Sequence, residues 1–183
     1  MKTAVLCLAL TVVSLCAEAQ ITFRGVDASP MDMAYFPDRF TNVRKDGETA
    51  KVRVTYSRPA KKDRPVFEKL APYGKVWRLG ANENTEIKFY QDATIQGKKI
   101  KAGTYSLFAI PNEKEWTLIF NSDLDYWGAF KYQEKNDVLR VTVPVKKAPS
   151  TIEHFSIQFA GEGNQGTMYL GWEDALVEVP MTF

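Results

Sequence analysis

From residue 50 onward the chain alternates apolar and polar side chains almost without interruption, and this period of two constrains its fold more than any other feature. In "KVRVTYS", Val52, Val54 and Tyr56 share one face while Arg53, Thr55 and Ser57 take the other. Ile87 and Phe89 alternate with Glu86, Lys88 and Tyr90. "GTYSLFAIP" and "EWTLIFN", separated by Asn112-Glu113-Lys114, read as a hairpin. "DVLRVTVPVK" turns Leu139, Val141, Val143 and Val145 inward, and Pro144, which has no N–H to donate, predicts an edge or a bulge there. "HFSIQFA" offers Phe155, Ile157 and Phe159. "TMYLGW" and "ALVEVPMTF" read as a closing pair that turns at Glu173-Asp174. About eight to ten short strands are expected, with at most one short helical turn, near Glu68–Ala71. The expected fold is all-β: an antiparallel sandwich, jelly-roll-like or a flattened barrel.

Two segments break the alternation. Ser57–Lys75 is a long connection with three prolines, and Asn121–Asp137 is polar and aromatic. Connections longer than roughly 12–15 residues in a compact domain are usually functional or disordered. Both carry large apolar groups, which predicts order.

The opening "MKTAVLCLALTVVSLCAEAQ" has a basic start at Lys2, an apolar run from Thr3 to Cys16 and an A-x-A site at Ala17–Ala19. The run is 14 residues long, short of the roughly 20 that span a bilayer. Residues 1–19 are therefore expected to be a cleaved signal peptide, 20–32 a loosely ordered lead-in and 33–183 a single domain, exported to the periplasm or secreted. Cleavage leaves 164 residues, enough for one core. It also removes both cysteines, Cys7 and Cys16, and with them disulfide, thiol and thiolate-metal chemistry. A net charge of +2 gives no signature of nucleic-acid or membrane steering.

Little in the chain points to catalysis or metal binding. His154 is the sole histidine, so no zinc site and no cofactor are expected. "NSDLD" places oxygens at Asn121, Asp123 and Asp125, but Tyr126 and Tyr132 stand where a calcium loop needs Gly and Glu. Ser106 sits within a strand pattern rather than on a nucleophile elbow. Glu83 and Glu86 are close enough in sequence to raise a two-carboxylate hydrolase, with Arg58 and Arg78 as electrostatic partners. Trp116 and Trp172 fall on the apolar phase of their strands. Trp77 and Trp127 lie instead in polar, Gly-flanked turns, where a ring either plugs the end of a sandwich or offers a flat face to a ligand.

The runs "YSRP…KK…R", "PYGKVWR…GANE…TEI…F", "GKKI…AGTYSLF…IP", "EWT…IFN", "WGAF…Y" and "DVLRV…V" resemble a bacterial family of exported proteins, the domain of unknown function 2911. The resemblance runs from Tyr35 to Phe183. Glu68-Lys69 and Leu79 stand where that family commonly has Gly-Gly and Thr. The label carries no activity; it implies only that Tyr56–Pro59 and Trp77–Glu83 are signature positions of the fold or of a site. Two readings stay open. Arg58, Arg78 and Asn82 brace turn backbone, or Arg58, Trp77, Arg78, Asn82 and Glu83 line one concave patch, with Tyr56 and Trp127 near it. The second makes the protein a non-catalytic binding module for a carbohydrate, a peptidoglycan fragment or a small metabolite. A hydrolase on Glu83/Glu86 and an envelope scaffold that engages a protein partner are the alternatives.

Overall fold

A computed structural model describes residues 21–183. The expected signal sequence, 1–19, lies outside the described residues. Nine strands form one antiparallel, sandwich-like sheet: β1 (Met31–Phe36), β2 (Val52–Ser57), β3 (Thr85–Phe89), β4 (Ala93–Ile95), β5 (Lys98–Ile100), β6 (Gly103–Pro111), β7 (Glu115–Asn121), β8 (Asp137–Glu162) and β9 (Gln165–Thr182). Their spatial order is β1-β2-β3-β6-β7-β8-β9-β4-β5. Short helical segments occur at 40–43, 66–70 and 134–136, where the sequence suggests only one.

The sheet doubles back through β8. From Asp137 to Pro144 this strand pairs with β7; from Val145 to Glu162 it pairs with β9. Pro144 is the last residue on the first partner, so its missing donor falls where the strand changes neighbours. The alternating apolar residues of both layers then meet in one core. Val52, Val54, Ile87, Trp116, Phe155, Leu170 and Trp172 are all essentially inaccessible to solvent. Burying a side chain of this size contributes roughly 1.5–3 kcal/mol, which is how the fold stands without cross-links.

Two expectations need correction. The "TMYLGW"/"ALVEVPMTF" pair is not a hairpin: β9 runs straight through Glu173-Asp174, and both halves pair with β8. Glu173 alone takes a positive φ of 56°, whereas a tight hairpin of type I′ needs two such residues in succession; the extra residues of the irregular pairing lie on β8, between Lys147 and Ser156, opposite Ala175 to Gly171. Strand structure also begins at Met31, inside the stretch expected as a lead-in. This edge strand was illegible because Met-Asp-Met-Ala-Tyr-Phe has no clean polar phase.

The Ser57–Lys75 connection closes the exposed edge of β8. Phe155 N donates to Pro59 O at 3.0 Å and Lys61 N to Glu153 O at 2.8 Å. Glu173 Oε2 accepts from Val66 N at 3.3 Å, so a carboxylate on β9 anchors the same segment. An unpaired strand edge is a template for aggregation, and this segment blunts it.

Candidate functional site

The signature segments occupy two different places. Tyr56 and Arg58 lie on the seam between the layers. The Tyr56 hydroxyl accepts from Ile157 N at 2.9 Å and donates to Ile157 O at 3.2 Å, satisfying both backbone groups of one β8 residue. Burial raises the pKa of this phenol. Arg58 spreads its fork over Asp32 Oδ2 (2.9 Å), Ser156 Oγ (2.9 Å) and Phe155 O (3.4 Å). The "YSRP" run thus ties β2 to β8, with the Tyr56 hydroxyl and the Arg58 guanidinium engaged at that joint.

Trp77 is 5% exposed and lies inside the core. Its ring stacks on Trp172 at 5.5 Å and meets Trp116 and Phe155 edge-on, while Nε1 donates to Gly80 O at 3.0 Å. The backbone of Trp77 exchanges hydrogen bonds of 2.7 and 2.9 Å with Ala109 on β6, beside the Thr85↔Leu107 pair of β3 and β6. Trp77 therefore prolongs the line of β3 along β6, and residues 78–84 loop out between two points that are neighbours on one strand. Thr85 closes the neck: its N donates to Arg78 O at 3.2 Å and its Oγ1 to Leu79 O at 2.6 Å. A Cβ on Gly80 would come within 2.9 Å of Ser57 O, so the loop can press against β2 only with glycine there.

The loop docks on the 121–137 segment. Asn84 N donates to Tyr126 O (2.9 Å), Tyr126 N to Asn84 Oδ1 (2.8 Å) and Gly128 N to Asn82 O (2.9 Å). Glu83 and Trp127 consequently face each other as a bridge pair. Asn82, with φ 59°, also donates through Nδ2 to Asp27 Oδ1 at 2.9 Å, and Arg78 Nη1 reaches Asn82 O at 3.1 Å. Desolvation lowers the pKa of Arg78. Asn84 continues inward to Ser106 Oγ at 2.7 Å; Ser106 in turn donates to Asp123 O, and Asp123 accepts from Asn136 and from the Tyr126 hydroxyl. Of the "NSDLD" oxygens, those of Asn121 and Asp123 thus serve an internal network. Among the described residues, no three His, Cys, Asp or Glu side chains are grouped to hold a metal.

Along its outer surface, the 121–137 segment roofs only part of the larger layer. Over β1–β3 the outer face is open. A pocket of about 230 Å³ there is lined by Met31, Thr55, Tyr56, Ser57, Glu83, Asn84, Glu86 and Asp125. Next to Glu83 stands Trp127, 61% exposed, and Phe130 beyond it is 83% exposed. A Cβ on Gly128 would touch both the Phe130 ring and Arg78 Nη1, so these two groups are close neighbours. Structure gathers Arg78, Asn82, Glu83 and Trp127 at one end of the molecule. It places Arg58 and Tyr56 at the seam and Trp77 in the core. Thr55, Asp125 and Phe130 join the group without having been singled out as site residues. The legible hint was an aromatic pair, Trp127 and Phe130, in a polar run where no strand phase calls for burial.

An antiparallel sheet with one layer roofed in part and open in part, and a pocket at the boundary, defines the class: an all-β protein with an uncovered sheet face. The chain belongs to the family described as "Protein of unknown function (DUF2911)", whose profile matches residues 39–181. No curated protein and no solved structure is significantly similar to it. No described helix is long and apolar enough to cross a membrane.

Proposed function

We propose that the protein is a non-catalytic binding module for a carbohydrate, a peptidoglycan fragment or a small metabolite, exported by its first 19 residues to the periplasm or beyond. The ligand lies in the pocket at the open face. One observation carries this reading: a large aromatic ring, Trp127, stands exposed directly opposite Glu83, a wall of that pocket. Leaving an indole in water forgoes the stabilisation that burial would give it, while a flat apolar face beside polar walls suits a saccharide ring. Glu83, Glu86 and Asp125 supply carboxylate acceptors for ligand hydroxyls, and hydrogen bonds to charged acceptors are the stronger kind. The volume suits a single ring rather than a buried oligomer.

Saturation-transfer NMR on the mature chain against a panel of mono- and disaccharides tests this. Contacts from ligand C–H groups to the protein are expected, and Trp127→Ala is expected to erase them while the melting temperature holds. Binding that survives Trp127→Ala would remove the proposal. A second reading has one observation in its favour: Glu83 and Glu86 line the same pocket, as a two-carboxylate hydrolase requires. Arg58 and Arg78 are not among its lining residues. Hydrolysis of a saccharide in the panel, abolished by Glu86→Gln with binding retained, would select the hydrolase instead.

A further inference from the structure

One row of the open face is arranged against its own electrostatics. Arg53 on β2 lies directly opposite Lys88 on β3, with Tyr35 of β1 beyond Arg53 and Thr104 of β6 beyond Lys88. Side chains in such pairs have Cβ atoms roughly 4.5–5.5 Å apart, and like charges there repel. Both residues are half-buried, so solvent screens them incompletely. Among the described residues, neither is ion-paired with a carboxylate. Lys88 Nζ lies 4.9 Å from the centroid of the Tyr90 ring. Arg53 Nε is buried without a hydrogen-bond partner among the described residues. A sheet face that only had to meet water would have no use for two cations in this register.

The adjoining row, two residues along each strand and so roughly 6.6 Å away, is the Thr55–Glu86 pair on the pocket floor. The face is therefore dipolar: Glu83, Glu86 and Asp125 at one end, Arg53 and Lys88 at the other. We infer that the ligand of this face is a saccharide with a single carboxylate, its acid group held between Arg53 and Lys88 while a neutral ring occupies the pocket beside Trp127. The inference rests on the binding reading above and adds the ligand's charge and orientation. The guanidinium supplies directed donors in a planar fork, and the ammonium supplies a point charge. A polyanion is disfavoured, because its further acid groups would fall against the three carboxylates. The lactyl ether of muramic acid and the C6 carboxylate of a uronic acid are two natural chemistries that carry one acid group per disaccharide.

Calorimetric titration of the mature chain with three probes separates the outcomes. They are N-acetylglucosaminyl-N-acetylmuramic acid, glucuronyl-N-acetylglucosamine and neutral chitobiose. At least one acid disaccharide is expected to bind about tenfold more tightly than chitobiose, an advantage that falls as salt rises. Whichever acid wins identifies the source. Arg53→Gln with Lys88→Gln is expected to abolish the advantage. Lys88→Glu restores opposite charges across the strands, which favours folding, and is expected to reverse the preference toward chitobiose. Chitobiose binding as tightly as both acids would overturn this inference and leave the binding reading standing. No binding by any of the three, or an acid preference untouched by Lys88→Glu, would overturn it as well, the former taking the glycan reading with it.

Discussion

The outer face of the larger layer has two halves with opposite fates. Over β6 and β7, Ser106, Phe108, Ile119 and Asn121 point outward yet are completely or almost completely buried. The 121–137 segment covers them: Tyr132 packs edge-on against Phe108 at 5.3 Å, and its hydroxyl donates to Asp137 Oδ2 at 2.7 Å. Over β1 to β3 the same phase carries Met33, Thr55, Glu86, Arg53 and Lys88, all at least partly exposed. The roofed half turns its polar groups inward on one another, through Asn84, Ser106 and Asp123. The open half leaves three carboxylates around a pocket. Polar groups satisfied by the chain itself are structural, and polar groups left facing a concavity are available to a ligand.

This contrast can be broken or sharpened by substitution. Trp77→Ala removes a core indole and is expected to cost about 3–5 kcal/mol, read from denaturant unfolding. A loss below about 1 kcal/mol would mean that the ring is not packed as described. Asn84→Ala strips the partner from Tyr126 N and leaves Ser106 short of a donor, at about 1–3 kcal/mol. Its signature is faster amide exchange concentrated in 121–137, since that segment is held to the 78–84 loop by these bonds. Uniform acceleration over the whole sheet would contradict the roof.

Tyr132 supplies a pH test of the same half. Burial, with the bond to Asp137 adding to it, pushes its phenol up to about 12. The folded state thus holds this proton more tightly than the unfolded chain, whose tyrosines titrate near 10. Its contribution is complete below about pH 10 and is lost as pH rises through about 12. Tyr132→Phe is expected to flatten the fall in melting temperature over that window; curves that stay parallel would place Tyr132 outside the latch. The smallest stability effect belongs to the open half. Trp127→Ala, with a ring 61% exposed, should stay within about 0.5 kcal/mol of the parent while binding is lost. A large destabilisation would make Trp127 part of the roof instead.

Much of the fold could be read from alternation alone. The inward sets Val52/Val54/Tyr56, Ile87/Phe89, Leu139/Val141/Val143 and Phe155/Ile157/Phe159 are all buried as their phase demands. The β6–β7 hairpin turns where Asn112–Lys114 predicts it. That β9 continues through Glu173-Asp174 was not legible, because whether a strand turns or continues there depends on β8 running alongside it as a partner. The candidate site was legible only in part. Tyr56 and Arg58 form bonds to residues 97–101 positions away, and no local pattern announces such partners.

The order of apolar and polar residues by itself determined that this chain forms β-strands whose alternate side chains share one core. A side chain's phase along a strand is a local property, set by backbone geometry. Which rings end in the core and which in water was decided only by tertiary structure. Trp77 and Trp127 sit in similar polar, glycine-flanked turns, yet one is stacked on Trp172 and the other stands exposed, paired with Glu83. That choice depends on what the folded chain brings against each ring, and burial is a property of neighbours rather than of sequence position.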